Sequence, residues 1–373
     1  MSDRVGRLAL MSWSHQRKTW VHTPRPCLRS HRYIAAAGPA AVEGDAAEIA
    51  AAAIEARRWA DVTVMVIGDS IGTTAGFGLE SCGEMADRTS LDPPGSQLAM
   101  LEHVAAAGAP APLVVVTLNG RPATFGAASQ NAVLRNVSAL LVAWRPGQEG
   151  GLAVADVLLG RVDPSGRLTQ AWVQSAGHIR SPANPWMQDF PANGVPQKDN
   201  YDSTTAPLFP FGFGLSFTTF NLSAARCGGT ARDAPSGARD APSGARDAPS
   251  GTLSCNITVT NSGYRDGALA VQVYAQRPMT RGVSRLQRQL AGFEKVWVAA
   301  GASVRASIPI NVQDLARYDP DARVWVVDAG TWQFWVSTCA GSAWGGWNAG
   351  KDRAQWGCDS VAAPGSTLRG VQF

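Results

Sequence analysis

The chain has 373 residues, 45% of them hydrophobic, and a net charge of +4. That length suffices for two ordinary domains, and that hydrophobic content excludes a wholly disordered chain. The positive charge is dispersed apart from a cationic stretch from Arg25 to Arg32, and no aromatic-basic motif accompanies it, which argues against nucleic acid as a partner. No run of about 18 apolar residues occurs, so no membrane span is expected.

Residues 1–39 show no hydrophobic period and are expected to be irregular. Leu8 to Leu10 is too short for the apolar core of a signal peptide and is soon followed by Ser12, His15, Arg17 and Lys18. The Ala-rich stretch from Ala40 to Ala60, with Glu48, Glu55 and Arg58, predicts a helix. Val62 to Ile67 is a short β-branched run ending in Gly68-Asp69-Ser70, the pattern of a strand buried on both faces. Leu98 to Ala107 predicts a helix. Leu113 to Leu118 predicts a second buried strand, stopped by Asn119-Gly120. Ala139 to Trp144 predicts a third, stopped by Arg145-Pro146-Gly147, and Gly151 to Leu159 predicts a helix ended by Gly160. Strand, loop and helix alternate through this region, which predicts a mainly parallel sheet flanked by helices. Ligands of such sheets bind at the carboxyl ends of the strands, so the loops after Ile67, Leu118 and Trp144 are where chemistry is expected.

From about Pro182 to Pro207 the chain is rich in Pro, Asn and Asp and reads as a long surface loop. Beyond Phe220 the pattern changes to short alternating runs: Ile257 to Thr260, Ala270 to Tyr274, Val304 to Ile310, Val324 to Val327 and Trp332 to Val336. Short strands at this spacing predict an antiparallel sandwich. The heptapeptide Ala231-Arg-Asp-Ala-Pro-Ser-Gly237 repeats through Gly251 with no large apolar residue, and reads as a solvated insertion between the first two strands.

Six cysteines (Cys27, Cys82, Cys227, Cys255, Cys339, Cys358) show no metal-ligand spacing. Cys227 with Cys255, and Cys339 with Cys358, suit local disulfides of an oxidising compartment; six free or buried thiols is the other reading. Asn136-Val-Ser, Asn221-Leu-Ser and Asn256-Ile-Thr are sequons that fit a secreted glycoprotein.

Five segments carry a resemblance: Ala60 to Gly68; Gly83-Glu-Met-Ala-Asp-Arg-Thr-Ser-Leu91 with Pro94, Gly95 and Gln97; Arg145-Pro-Gly-Gln-Glu-Gly-Gly151; Leu159-Gly-Arg-Val-Asp-Pro-Ser-Gly-Arg-Leu168 with Trp172; and Pro207-Leu-Phe-Pro-Phe-Gly-Phe-Gly-Leu-Ser-Phe-Thr-Thr-Phe220. In this order and spacing they resemble the C-terminal part of glycoside hydrolase family 3, the β-glucosidases and β-xylosidases. The later marks Val259 to Gly263, Gln272 to Tyr274, Leu290 to Val296, Leu315 to Asp319 and Trp325 to Gly330 resemble the fibronectin III-like module that follows in that family. The resemblance runs from about Ala40 to residue 338 and implies an α/β sandwich over 40–219 and a β-sandwich over 220–338 carrying the insertion 231–251; the segments 1–39 and 339–373 outside it read as irregular. It also implies an extracytoplasmic or secreted destination.

The activity implied is retaining hydrolysis of terminal non-reducing β-D-glucosyl or β-D-xylosyl residues, with an oligosaccharide or β-glycoside as substrate and no cofactor or metal. Such hydrolysis uses two carboxyl groups about 5–5.5 Å apart. The family nucleophile is an Asp on an N-terminal barrel, which this sequence does not contain, so a barrel supplied elsewhere would be its partner. The acid/base implied here is Glu84, just before Asp87-Arg88, with Glu80 as the alternative. Asp87 and Arg88 read as a structural pair shaping that loop, with substrate contact as the alternative. Glu149 reads as a helix-starting residue, and His103 as a surface residue. Trp332 and Trp335 read as core, and Trp344, Trp347 and Trp356 as part of the tail, with a sugar-stacking surface as the alternative for the cluster. A non-catalytic carbohydrate-binding or scaffolding fragment is the rival reading of the whole.

Overall fold

The structure is a computed structural model. It describes residues 8–13, 31–36, 60–69, 88–108, 111–126, 130–178, 207–231, 251–278, 289–321, 323–328, 330–340, 360–368 and 371–372, with scattered helical residues between 51 and 58. The chain forms two compact units, residues 1–156 with 173–179, and residues 157–172 with 180–373. Among the described residues no helix is long and apolar enough to cross a membrane.

The first unit is built on a parallel sheet of β1 (Leu8–Trp13), β2 (His31–Ala36), β3 (Val62–Gly68), β4 (Leu113–Leu118) and β5 (Ala139–Val142), in the order β2-β1-β3-β4-β5. The central strands β3 and β4 are near-continuous apolar runs because a parallel sheet is covered on both faces; Val64, Met65, Ile67, Leu113, Val115 and Val116 are all buried. Helix α1 (Gln97–Ala106) buries Met100, Leu101, Val104 and Ala105. Helices α2 (Gln130–Arg135) and α3 (Gly150–Leu158) follow β4 and β5. Ala51, Ile54, Glu55, Arg57 and Arg58 are helical, within the stretch expected to form a helix. Arg57 is buried and its guanidinium donates to the carbonyls of Val104 and, at 2.9 Å, Ala111. It thereby ties that segment to the end of α1.

The expectation of an irregular segment over 1–39 is corrected. Leu8-Ala-Leu-Met11 is too short for a signal core, but an apolar run of that length suffices for a strand, and β1 pairs with both β2 and β3. The third expected strand also ends early, at Val142, because Trp144 takes a left-handed φ of 53° that cannot continue a ladder.

The second unit is all-β. Sheet β10-β7-β6 joins β6 (Phe220–Ala231), β7 (Gly251–Asn261) and β10 (Ser303–Asn311). Sheet β14-β13-β8-β9 joins β8 (Gly267–Gln276), β9 (Gln289–Val298), β13 (Gly330–Ser337) and β14 (Ser360–Leu368). A small sheet joins β11 (Arg317–Asp319), β12 (Val324–Val327) and β15 (Val371–Gln372). All described pairings here are antiparallel. Alternation directs Leu253, Cys255, Ile257 and Val259 of β7 into one core with Val271, Val273, Ile308, Ile310, Trp332, Phe334 and Val336. Trp332 is fully buried and its indole N–H donates to Asp328 O at 3.0 Å, while Trp335 is half-buried. Trp344, Trp347 and Trp356 lie outside the described residues.

A disulfide joins Cys227 to Cys255, which face each other across β6 and β7. Cys339 is also disulfide-bonded; Cys358, its expected partner, lies outside the described residues, as do Cys27 and Cys82. The heptapeptide repeat falls between the end of β6 and the start of β7. The expected irregular tail over 339–373 is corrected as well, because β14 and β15 lie within it. Pro364-Gly365 interrupts the alternation that marks a strand, yet β14 is an edge strand, and the pairing slips between Trp332 and Phe334 to accommodate them.

Residues 157–172 and 207–219, expected to close the α/β region, pack in the second unit. Trp172 N–H donates to Phe209 O at 2.8 Å, Leu208 N–H to Trp172 O at 2.7 Å, and Gly212 N–H to Leu168 O at 2.7 Å. Asp163 Oδ1 accepts from Phe217 N–H at 2.6 Å. Gln272 Nε2 then donates to Gly212 O and Thr338 O, holding this segment against β8 and β13.

Asn261, fully buried at the end of β7, binds four different neighbours. Its Oδ1 accepts from Thr218 Oγ1 at 2.7 Å and Gly263 N–H at 3.1 Å; its Nδ2 donates to Arg265 O at 2.8 Å and Val298 O at 3.0 Å. Asn261→Ala leaves these buried groups unpaired and is expected to cost about 2–4 kcal/mol, read as a lowered urea midpoint. Burial pushes the Tyr274 hydroxyl far above the ordinary tyrosine value. The folded chain therefore keeps a proton that the unfolded chain releases. Stability is full below about pH 10 and falls as pH rises beyond it. Urea unfolding across that range is expected to show a shallower alkaline decline in Tyr274→Phe.

Candidate functional site

Strands β3, β4 and β5 run parallel, so the loops after Gly68, Leu118 and Val142 open on one edge of the sheet. In the order β2-β1-β3-β4-β5 the sheet reverses direction of growth between β1 and β3, and crevices form at such a point. The end of β3 is tightly fixed. A Cβ on Gly68 would lie 2.0 Å from Leu118 O, so only glycine fits. Gly68 N–H donates to Gln97 Oε1 at 2.8 Å and Gln97 Nε2 donates to Gly68 O at 3.0 Å, joining the start of α1 to the end of β3 through a buried amide.

The next residue, Asp69, is a carboxylate shared by two guanidinium groups. Its Oδ1 accepts from Arg121 at 3.2 Å and Arg88 at 3.4 Å, and its side chain is only 8% exposed. Arg88 also donates to Asp92 O at 2.9 Å. The Asp92 carboxylate in turn accepts from Thr124 Oγ1 at 2.6 Å and Gly126 N–H at 2.9 Å. Residues 88–92 are thus laced to residues 121–126 beyond β4. Asn119, buried at the end of β4, donates to Arg121 O and helps set that turn. Between these loops lies a cleft lined by Ile67, Asp69, Leu91, Thr117, Asn119 and Arg121. Its empty space is about 250 Å³, part of it open solvent. Its enclosed volume is only about 10 Å³, room for about one water molecule, against about 300–1,000 Å³ for pockets that enclose a ligand.

Glu84, Glu80 and Asp87 lie outside the described residues. Arg88, four residues after Glu84, is the nearest described position to the expected acid/base, and it is held by Asp69. Asp69 and Arg121 were not singled out from sequence as partners. Their positions just past adjacent parallel strands are the signal that could have linked them. After β5, Gly147 has φ 77°, and a Cβ on Gly150 would meet the Pro146 ring at 2.4 Å. These glycines serve a tight turn into α3. Glu149 is exposed and its carbonyl accepts from Ala153 N–H at 3.0 Å, at the start of that helix. His103 is exposed on α1, with its ring Nδ1 2.6 Å from Ala99 O. Among the described residues no cluster of three or more His, Cys, Asp or Glu could hold a metal ion.

Residues 7–217 match the model of the glycosyl hydrolase family 3 C-terminal domain, and residues 270–340 match that of the fibronectin type III-like domain. The chain belongs to glycosyl hydrolase family 3. It is 35% identical over 269 residues to a periplasmic β-glucosidase of Salmonella typhimurium, covering 70% of this chain and 31% of that protein. It is 32% identical over 291 residues to a β-xylosidase of Formosa agariphila, covering 78% and 35%. The chain therefore spans about a third of the length of these relatives. A solved β-glucosidase from Streptomyces venezuelae, in complex with D-glucose, is similar with a TM-score of 0.58 at 25% identity, over 87% of this chain and 36% of that one. One from Listeria innocua, in complex with isofagomine, shares the fold with a TM-score of 0.64 at 21% identity, over 90% of this chain and 40% of that one.

Gly68→Ala drives a methyl into the β4 backbone and is expected to destabilise the chain by at least about 2 kcal/mol in urea unfolding. Gly151→Ala is the control: nothing lies within 4 Å of its Cβ position in α3, so a gain of about 0.5–1 kcal/mol is expected.

Proposed function

We propose that this chain is the acid/base half of a retaining family 3 β-glycosidase acting on terminal non-reducing β-D-glucosyl or β-D-xylosyl residues. Glu84 is the acid/base, with Glu80 as its alternative. The observation that carries the reading is the anchoring of Arg88 by Asp69 at the carboxyl end of β3, because it ties the segment after Glu84 to the edge where a parallel sheet presents its ligands. The β-glucosidase and β-xylosidase relatives supply the substrate class.

In this reading Glu84 protonates the departing glycosidic oxygen and then takes a proton from the attacking water. Asp69, Arg88 and Arg121 are positioning residues. The nucleophilic carboxylate comes from a barrel domain, and the covalent route is closed without it. Secretion or export is the destination proposed, in line with the disulfides and the periplasmic relative.

Hydrolysis of aryl β-D-glucoside and β-D-xyloside by the purified chain, beside Glu84→Gln, tests this. No turnover by either protein is expected from the chain alone. Turnover upon adding a family 3 barrel, lost in Glu84→Gln, supports the assignment. Glycoside binding with no turnover under any of these conditions would favour the carbohydrate-binding fragment. Turnover by the chain alone would place a nucleophile within it and overturn the division of the site.

A further inference from the structure

We propose that Asn256 and Asn221 are N-glycosylated in a eukaryotic secretory pathway, and that both glycans stand on the outer face of sheet β10-β7-β6. The inference does not depend on the catalytic reading. In a strand, residues two apart share a face, so the acceptor Asn of a sequon and its hydroxyl partner point the same way. Strand β7 alternates cleanly. Leu253, Cys255, Ile257 and Val259 are buried, whereas Ser254, Asn256, Thr258 and Thr260 are exposed or half-buried. Asn256 and Thr258 therefore both face solvent. A shift of one residue would have buried the acceptor amide.

Strand β6 repeats the arrangement, with Asn221 and Ser223 both exposed. Asn221 is paired with Thr260, and Asn256 lies four residues from Thr260 on the same face of β7. Along a strand that separation is about 13 Å, room for two glycans side by side. The surroundings are small and hydrophilic. Asn256 is flanked across the ladders by Arg226 and Ser307, and β10 adds Ser303 and Arg305 to this face. Among the described residues flanking Asn256 on this face none is a large apolar side chain. The opposite sheet differs, with Phe293 and Trp297 of β9 65% and 61% exposed.

A second, independent observation concerns the compartment. The Cys227–Cys255 disulfide and the disulfide at Cys339 fit an oxidising environment, and the eukaryotic compartment in which N-glycans are added is one such environment. Cys255 and Asn256 are consecutive, so alternation sends one to the core as half of the bridge and the other to solvent as the acceptor. The transfer balances as follows. The Asn Nδ2 bonds to C1 of a lipid-diphosphate-linked oligosaccharide, the C1–O bond to the diphosphate breaks, the lipid diphosphate leaves, and the amide gives up one proton. Asn136, exposed beyond α2, is a third sequon in the first unit and serves as an internal comparison.

The test is to secrete the full chain, with a leader, from a eukaryotic host. The disulfide-closed protein is then treated with peptide N-glycosidase in heavy-oxygen water and mapped by mass spectrometry. Heavy Asp at both 256 and 221 is expected, and Asn256→Gln and Thr258→Ala should each lose one mobility step. Thr258→Ala matters because it removes the sequon while keeping the Asn. Should a variant fail to be secreted, glycan addition in microsome-supplemented translation reads the same step without requiring the final fold. Unmodified Asn at 256 or 221 in the disulfide-closed protein, or modification at Asn136 alone, would overturn the proposal.

Discussion

At the carboxyl end of β3 the backbone of Gly68 lies so close to Leu118 that no side chain can stand between them, and both of its amide groups are held by one buried glutamine. Much of the first unit follows from this. The end of β3 cannot slide against β4, α1 starts at a defined point, and Asp69 emerges just where two arginines from different loops can reach it. The interior tolerates the polar Gln97 because both ends of its amide are satisfied by main-chain groups.

The second unit solves a different problem. A parallel sheet needs helices on both faces, whereas two antiparallel sheets bury one face each against the other. The core side chains of β7 and β10 are alternate residues, and the residues between them are Ser, Thr, Asn, Arg and Pro. Asn261 ends that alternation. It is polar at an inward position, and its four hydrogen bonds collect the turns around it. Asp163 does the same at the segment preceding the β-sandwich by accepting from Phe217 N–H.

Legibility in the sequence followed the strength of local pattern. Val62 to Ile67, Leu113 to Leu118 and Val324 to Val327 could be read as strands because β-branched runs bounded by Gly, Asn or Asp have few other uses. Strands β1 and β2 escape because Leu8 to Leu10 reads as a leader too short to be one, and His31-Arg32 masks the apolar Tyr33-Ile34. Strand β14 escaped because Pro364-Gly365 is a breaker everywhere except at an edge or bulge. The site was legible as a place, the loops beyond three parallel strands, but the Asp69–Arg121 contact was not. It joins residues 52 apart and depends on β3 and β4 lying side by side, a neighbour relation that the two local sequences do not specify on their own.

The Cys227–Cys255 bridge also changes what a cut in the backbone would mean. The heptapeptide repeat lies between its two halves and contains Arg232, Arg239 and Arg246, the residue type after which trypsin-like enzymes cleave. Hydrolysis at any of them severs the main chain without parting the pieces, since the sulfur link and the β6–β7 ladder still join them. A nicked molecule would keep its mass on a non-reducing gel and separate into two bands only when reduced, so an intact mass is no proof of an uninterrupted polypeptide.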